Sequence, residues 1–251
     1  MPYAHFRFYA QLNDFLPPAR RVDGFTYEFE HTSSIKNMIE ALGVPHTEVH
    51  LILVNSEPVD FSYLVQDEDR ISVYPAFRSI DVSSVNGANP RLPVVVKFIL
   101  DIHLGRLVAY LRMLGFDTLY PEDYRDEELA RLANVEQRIL LTRDIGLLKR
   151  SAVTYGYFVR ETDPEQQLIE VLKGFDLAAQ TTPFHRCLHC NGLLAPVDKA
   201  EIIDQLPANT RQYYDEFRRC QSCHKIYWKG SHYQRMQRLI ERVLQEDAQN
   251  L

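Results

Sequence analysis

The four cysteines constrain the fold of this chain most, because they form two C-x-x-C pairs, Cys187/Cys190 and Cys220/Cys223. Two intervening residues let a pair of thiolates grip one side of a metal ion, and two pairs complete the tetrahedron that Zn²⁺ prefers. The pairs are separated by 29 residues, more than the common ~15–20. We therefore expect a zinc ribbon with an inserted segment, residues 194–217.

A redox role is the alternative for a C-x-x-C pair. It requires the pair at the start of a helix in a βαβ context, and neither pair has that context. Four protein ligands leave no open position on the metal, so the expected zinc is structural and not catalytic.

Charge limits the kinds of partner. The net charge of −6 argues against coating of nucleic acid by bulk attraction. From Arg218 to Arg242, however, seven Lys/Arg face one acid, Glu241, so a polyanion would be bound locally near the C-terminal end. A solvated helix face explains the same pattern equally well.

The N-terminal stretch MPYAHFRFYAQL lacks a basic leader followed by an apolar core, which argues against a secretion signal. The longest apolar run, around Val94–Val96, is interrupted by Lys97 and is too short to cross a bilayer. From these two features we expect a cytoplasmic protein with no membrane partner.

Residues 1–80 contain aromatic residues at alternate positions, as in His5–Tyr9 and Phe25–Phe29, which is the period of half-buried strands. A helix starting after Ser33 or Ser34 and ending at Gly43 lies between these strands and two more apolar runs. This order predicts a small β-grasp domain. Residues 81–92, rich in Ser, Asn, Gly and Pro, are the predicted linker.

Residues 93–180 alternate between strand and helix patterns. An apolar strand from Val94 to Leu100 begins the series, Gly115 ends the first helix, and Asp163-Pro164 opens the last one. Strands separated by single helices predict a parallel sheet with right-handed crossovers. Residues 181–251 then hold the zinc ribbon and an amphipathic helix that Ser231 is expected to cap.

Two aspartates directly follow predicted strands: Asp101 follows the first and Asp144 the third. The carboxyl ends of parallel strands meet at one edge of a sheet, and Asp126 can point there from its helix. Gathered carboxylates repel one another unless a cation lies between them, and hard oxygen ligands favour Mg²⁺ or Mn²⁺. Such an ion can activate water for phosphodiester hydrolysis, and nearby arginines can bind phosphate: Arg106, Arg112 and Arg143.

Helix capping is the competing interpretation of these acids, because Asp after a strand is a common N-cap. Asp126 also fits the description of a cap at the start of its helix. By local sequence alone capping is the simpler explanation. His103 lies two residues from Asp101, but a lone histidine is more often structural than catalytic.

Several motifs carry a family resemblance: FILDIHLGRL at 98–107, LRMLGFDTLY at 111–120, RILLTRDIGLL at 138–148 and the two cysteine pairs. They resemble the Mut-seven C-terminal ribonucleases, which join a PIN-like nuclease domain to a zinc ribbon. The resemblance implies RNA as the substrate and a metal held by Asp101, Asp126 and Asp144. For the middle acid, Glu127 and Glu128 are adjacent alternatives, and Asp117 and Asp123 are further ones.

The segment from Leu51 to Pro75 resembles ubiquitin-like sulfur carriers, and some members of the ribonuclease family carry such a module. Sulfur carriers end in Gly-Gly, whereas here Pro75-Ala76-Phe77-Arg78 follows and the chain continues. The resemblance therefore implies the fold without the sulfur chemistry. We expect an interaction module with a protein partner or a substrate-positioning role.

A metal-dependent endoribonuclease is thus the leading hypothesis, with Tyr233 and Arg235 as further RNA contacts, since aromatic and basic residues together suit single strands. The aromatic residues are explained equally by the core of the small ribbon. The rival function is a non-catalytic RNA- or ribosome-binding protein whose aspartates are caps. A phosphatase of the Asp-x-Asp type is disfavoured because Ile102-His103 follows Asp101.

Overall fold

A computed structural model of the protein describes residues 1–75, 88, 92–121 and 123–248. The predicted linker, 81–92, lies outside the described residues except for Ala88 and Leu92. By its internal contacts the chain divides into two compact units, residues 1–95 with 123–158 and residues 96–122 with 159–251. The domain boundaries expected at 80, 92 and 180 stay predictions.

The N-terminal residues form the expected β-grasp. Its mixed sheet has the order β2-β1-β5-β3-β4, with β1 parallel to β5 and the other pairs antiparallel. Ser34 caps the helix by accepting a hydrogen bond from Asn37 N. After the helix, the chain turns at Gly43, whose φ is +114°. The elements are β1 (Tyr3–Phe8), β2 (Phe25–Glu28), α1 (Ile35–Ala41), β3 (Leu51–Val54), β4 (Glu57–Val59) and β5 (Arg70–Tyr74).

Side chains from one face of this sheet and from α1 form the module's core, which includes Phe6, Ile35, Ile39 and Val73. Along β1 and β5 the buried residues alternate with exposed or half-buried ones, because successive strand residues point to opposite faces. A period of two in β1 and β5 and a helical period in α1 therefore determine which side of the sheet is buried.

The following region carries a parallel sheet with the order β7-β6-β8-β9, as the strand and helix pattern predicts. The first strand is shorter than expected: Val94 and Val95 are 96% and 67% exposed, and β6 starts at Lys97. The elements are β6 (Lys97–Leu100), α2 (Gly105–Met113), β7 (Asp117–Leu119), α3 (Asp126–Val135), β8 (Ile139–Thr142), α4 (Ile145–Leu148), β9 (Gly156–Phe158) and α5 (Pro164–Phe175).

The C-terminal region is an antiparallel ribbon with the order β10-β11-β12, followed by one long helix. The insertion between the cysteine pairs folds into β10 and two short helices, which share a small core of Ile202, Leu206 and Phe217. Ser231 is the first helical residue and not the expected cap. The elements are β10 (Leu194–Val197), α6 (Lys199–Ile202), α7 (Ala208–Tyr213), β11 (Phe217–Cys220), β12 (Ile226–Trp228) and α8 (Ser231–Ala248).

Within the first unit, the β-grasp packs against α4 and β9. Lys149 donates from Nζ to the Glu40 carbonyl at 2.6 Å, and the Glu48 carboxylate accepts from Phe158 N at 2.6 Å. His46 joins Glu40 to the Val153 carbonyl through its two ring nitrogens, at 2.7 and 2.9 Å. An edge strand leaves backbone groups without strand partners, and Glu48 satisfies one of these in β9.

Candidate metal centres

The two cysteine pairs come together at the end of the ribbon. The Sγ atoms of Cys187 and Cys223 are 3.6 Å apart and those of Cys190 and Cys220 are 3.4 Å apart. All four lie within 4.8 Å of one another. Zn–S bonds of about 2.3 Å in a tetrahedron place sulfurs roughly 3.8 Å apart, so this donor set fits one structural zinc ion. In the part of the chain that the structure describes, no other group of three or more His, Cys, Asp or Glu meets this criterion.

The first knuckle depends on two residues after Cys190. Asn191 adopts a left-handed conformation with φ 71, and the Gly192 carbonyl accepts from Cys187 N at 2.8 Å. A side chain at Gly192 would come within 2.5 Å of Ser222 Oγ and 2.9 Å of Cys220 Sγ. A larger residue at this position would therefore push against the metal ligands themselves.

The thiols differ in how easily they ionise. Burial opposes ionisation of Cys187, but hydrogen bonds from Tyr227 OH and from the backbone N–H groups of Cys190 and His189 outweigh it, so the pKa of Cys187 falls to about 6. Burial and the neighbouring thiols raise the pKa of Cys190 to about 12. Because the sulfurs crowd together, a divalent cation is required for all of them to be thiolates at neutral pH.

Arg112 holds the ribbon against α2. Its guanidinium is buried and donates to the carbonyls of Leu188 and His189 at 3.1 and 2.8 Å and to that of Thr118 at 2.9 Å. This arginine was expected to bind phosphate. Its contacts are instead structural, because α2 carries it into the interior of the second unit.

Asp117 also belongs to this junction. Its carboxylate accepts from Asn191 Nδ2 at 2.8 Å and lies 3.6 Å from Arg186 Nη2. Asp117 pairs in register with Lys97 at the start of β6, so it is at the opposite end of that strand from Asp101. Its position makes Asp117 unsuitable as the middle acid.

Asp101 directly follows β6 and is the N-cap of a 3₁₀ turn, Ile102–Leu104, with Oδ1 accepting from Ile102 N at 2.6 Å. Tyr120 steadies the same turn by donating from its hydroxyl to the Ile102 carbonyl at 2.7 Å. His103 is exposed on this turn. The sequence allowed two interpretations of Asp101, a helix cap and a residue at a strand end. Both are observed.

Asp144 is separated from the end of β8 by one residue and caps α4: Oδ1 accepts from Gly146 N at 2.7 Å and Leu147 N at 3.3 Å. Asp126 is not the cap that the sequence suggested, because Arg125 occupies the N-cap of α3 and Asp126 is the first helical residue. Its Oδ2 lies 3.5 Å from Arg150 Nη2, and Glu127 lies 3.8 Å from the same guanidinium.

The other expected RNA contacts differ in exposure. Arg106 on α2 and Arg235 on α8 are exposed, and Arg143 between β8 and α4 is half-buried. The Tyr233 ring packs on Phe184 with centroids 4.3 Å apart. Tyr233 therefore contributes to the packing of α8, and that packing leaves part of its ring at the surface.

The fold and the cysteine cluster together define a β-grasp module, an α/β domain and a ribbon whose four cysteines are arranged as a possible metal site. Residues 96–240 match the model of the Mut7-C RNAse domain, and residues 1–81 match that of the Mut7-C ubiquitin domain. The first match spans more than half of the 251 residues, so the chain belongs to the Mut7-C RNAse domain family. This indicates a ribonuclease-type function in general terms. Searches of curated proteins and of solved structures each gave no significant match.

No helix among the described residues is both long enough and apolar enough to cross a bilayer.

Proposed function

We propose that the protein is a metal-dependent endoribonuclease that hydrolyses RNA phosphodiesters with Asp101, Asp126 and Asp144 as its acidic residues. The observation that carries the proposal is the position of Asp101, directly after β6, and of Asp144, separated from β8 by one residue, in the region matched by the RNAse model. Strands β6 and β8 are neighbours in the sheet order. Residues after the carboxyl ends of parallel strands are where open α/β folds bind their ligands.

Carboxylate oxygens are the donors that Mg²⁺ and Mn²⁺ prefer, so these acids suit either ion. Such an ion supplies an activated water and neutralises charge on the scissile phosphate. Oδ1 of Asp101 and Oδ1 of Asp144 accept the hydrogen bonds of the helix caps. These hydrogen bonds also orient each side chain. Glu127 and Glu128 stay alternatives to Asp126, since all three are exposed in the first turn of α3.

The remaining residues would hold the substrate. Arg106 and Arg143 are proposed to bind RNA phosphates, and Tyr233 and Arg235 of α8 to contact the strand further along. The ribbon supports this arrangement through its structural zinc, held by the four cysteines.

The test is cleavage of a labelled RNA by the zinc-loaded full chain with added Mn²⁺, compared with Asp101→Asn and Asp144→Asn. Asparagine caps helices about as well as aspartate, so both variants should fold normally. Loss of cleavage in both would support the proposal. Equal cleavage by all three proteins would remove these acids from the reaction.

A non-catalytic RNA-binding protein is the second candidate, and the observed caps of Asp101 and Asp144 favour it. In that function the aspartates only start helices and have no affinity for Mn²⁺. RNA binding without cleavage in the presence of Mn²⁺ or Mg²⁺ would support this candidate.

A further inference from the structure

The β-grasp sheet has an outward face that carries positively charged residues, although the module as a whole is acidic. The register sets His5 beside Arg70 and Arg7 beside Ser72, on the side of the sheet away from the core. These four side chains, together with Gly24, line a groove of about 310 Å³ over β1 and β5. Two guanidinium groups, an imidazole and a hydroxyl in one groove are the donors that an anion requires.

The two arginines are unusual in their setting. Residues 1–75 contain five Lys/Arg against eleven Asp/Glu, yet Arg7 and Arg70 are exposed and neither forms an ion pair with a described residue. Several of the acids are engaged elsewhere. Asp69, for example, is buried and accepts hydrogen bonds from three residues, Asn55, Tyr63 and Gln66.

Acidic groups on this face lie towards its other end. Glu28 pairs in register with Tyr3, and Tyr3 itself is hydrogen-bonded to Asp67 and Glu68. The net charge of the module therefore does not describe the groove, because the positive charge of Arg7 and Arg70 is concentrated there.

Stacked rings continue the face beyond the groove. Tyr9 and Tyr74 stack with centroids 4.2 Å apart and planes 14° from parallel, and the guanidinium of Arg7 lies 4.9 Å from the Tyr9 centroid. Nucleobases stack on aromatic rings and on arginine planes, and an adjacent basic groove can follow the phosphate backbone. A sheet that presents both features suits a single strand.

We propose that this groove-and-tyrosine face is a second RNA-binding surface, with the groove holding a backbone phosphate and the Arg7–Tyr9–Tyr74 column stacking a base. The proposal rests on the proposed function only in taking RNA as the ligand. It gives the β-grasp module a role in capturing the substrate strand, which neither its fold nor its family match assigns.

The experiment measures binding of a labelled single-stranded RNA to the zinc-loaded full chain by fluorescence anisotropy, with no added Mg²⁺ or Mn²⁺. The double variant Arg7→Gln/Arg70→Gln is compared with Arg20→Gln/Lys36→Gln, which removes the same charge from the module away from this face. Each phosphate contact with single strands contributes roughly 0.7 to the slope of log affinity against log salt. The groove variant loses its one phosphate contact and should therefore lower the slope by about 0.7, with weaker binding, while the control keeps the wild-type slope.

Stacking is tested separately with Tyr9→Ala and Tyr9→Phe. Loss of one stacked base costs about 5- to 150-fold in affinity, so the alanine variant should bind more weakly and the phenylalanine variant should match the wild type. Unchanged binding by the groove variant, or an equal loss in the charge-matched control, would overturn the proposal. Capture of a protein by this face without RNA affinity would also overturn it.

Failure here is distinguishable from failure of the proposed function. Cleavage that needs Asp144 but is insensitive to Arg7 and Arg70 removes only the second surface. Binding through the groove without any metal-dependent cleavage removes only the nuclease.

Discussion

Arg112 donates from Nη1 to the carbonyl of His189 at 2.8 Å, and this contact makes the first zinc knuckle part of the packing of α2. The backbone between Cys187 and Cys190 is thus held from outside by a charged donor, and a zinc ion bound to the cysteines would hold it from inside. Ribbon folding and packing against α2 should therefore be lost together.

Replacing Arg112 by Met should lower the free energy of unfolding of the second unit by about 3 kcal/mol, because charged hydrogen bonds to buried carbonyls are lost. The single tryptophan of the chain, Trp228, lies in the ribbon, so its fluorescence reports urea unfolding there. Arg106→Met on the same helix is the control, and it should change the free energy by no more than about 0.5 kcal/mol. Equal effects of the two changes would contradict the structural role of Arg112.

Zinc binding should release protons at pH 7.5. The Cys187 thiol has its pKa lowered to about 6 and is already ionised, whereas the pKa of Cys190 is raised to about 12 and that of Cys223 is also raised. Zinc binds thiolates, so Cys190 and Cys223 must each lose a proton, and we expect release of at least two protons per ion and weaker binding as the pH falls. Calorimetry in buffers of different ionisation enthalpy measures this number. Zinc binding without proton release would show that the thiols were ionised beforehand.

Removing the Glu48 carboxylate should loosen β9. Glu48→Ala leaves Phe158 N without its acceptor, which should cost about 1–3 kcal/mol and speed hydrogen exchange at the Phe158 amide. Glu57→Ala removes an exposed acid of the same module and should leave that exchange rate unchanged. Exchange at Phe158 that is the same in both variants would mean that Glu48 does not secure this edge.

Capping and catalysis by Asp144 can be separated. Asp144→Asn should retain the cap and the wild-type stability, whereas Asp144→Ala should lose about 1 kcal/mol. RNA cleavage should be abolished in both variants if the carboxylate is needed for the reaction. If the cleavage rate instead varies with the stability of the protein, it is normal in the asparagine variant and reduced in the alanine variant. That result would assign Asp144 to capping alone.

Local patterns were sufficient for much of the fold. The cysteine spacing predicted that the four cysteines come together, the period of two predicted the β-grasp strands, and Asp163-Pro164 predicted the start of α5, as observed. Each of these features depends on residues near in sequence or on a metal with a fixed geometry. The start of β6 was not predictable from apolar character, since Val94 and Val95 are apolar yet exposed and the strand begins at Lys97.

Long-range contacts were not predictable in the same way. The sequence suggested a phosphate ligand for Arg112, but the observed partners include a carbonyl 76 residues away. The local sequence around an arginine does not show whether its partner is solvent, phosphate or such a distant carbonyl. The packing of Glu48 on β9 gave no sequence signal either, since the partner is a backbone N–H group. The proposed acid site also depends on residues distant in sequence, and it stays a prediction.

Titration of Mn²⁺ into the zinc-loaded protein, by calorimetry or electron paramagnetic resonance, tests the central claim most directly. Saturating the cysteines with zinc restricts Mn²⁺ to other sites. We predict saturable Mn²⁺ binding that is lost in Asp101→Asn/Asp144→Asn while the unfolding free energy is retained. Binding of Mn²⁺ that is equally strong in the double variant, or absent from the wild type, would contradict a metal-dependent ribonuclease built on these acids.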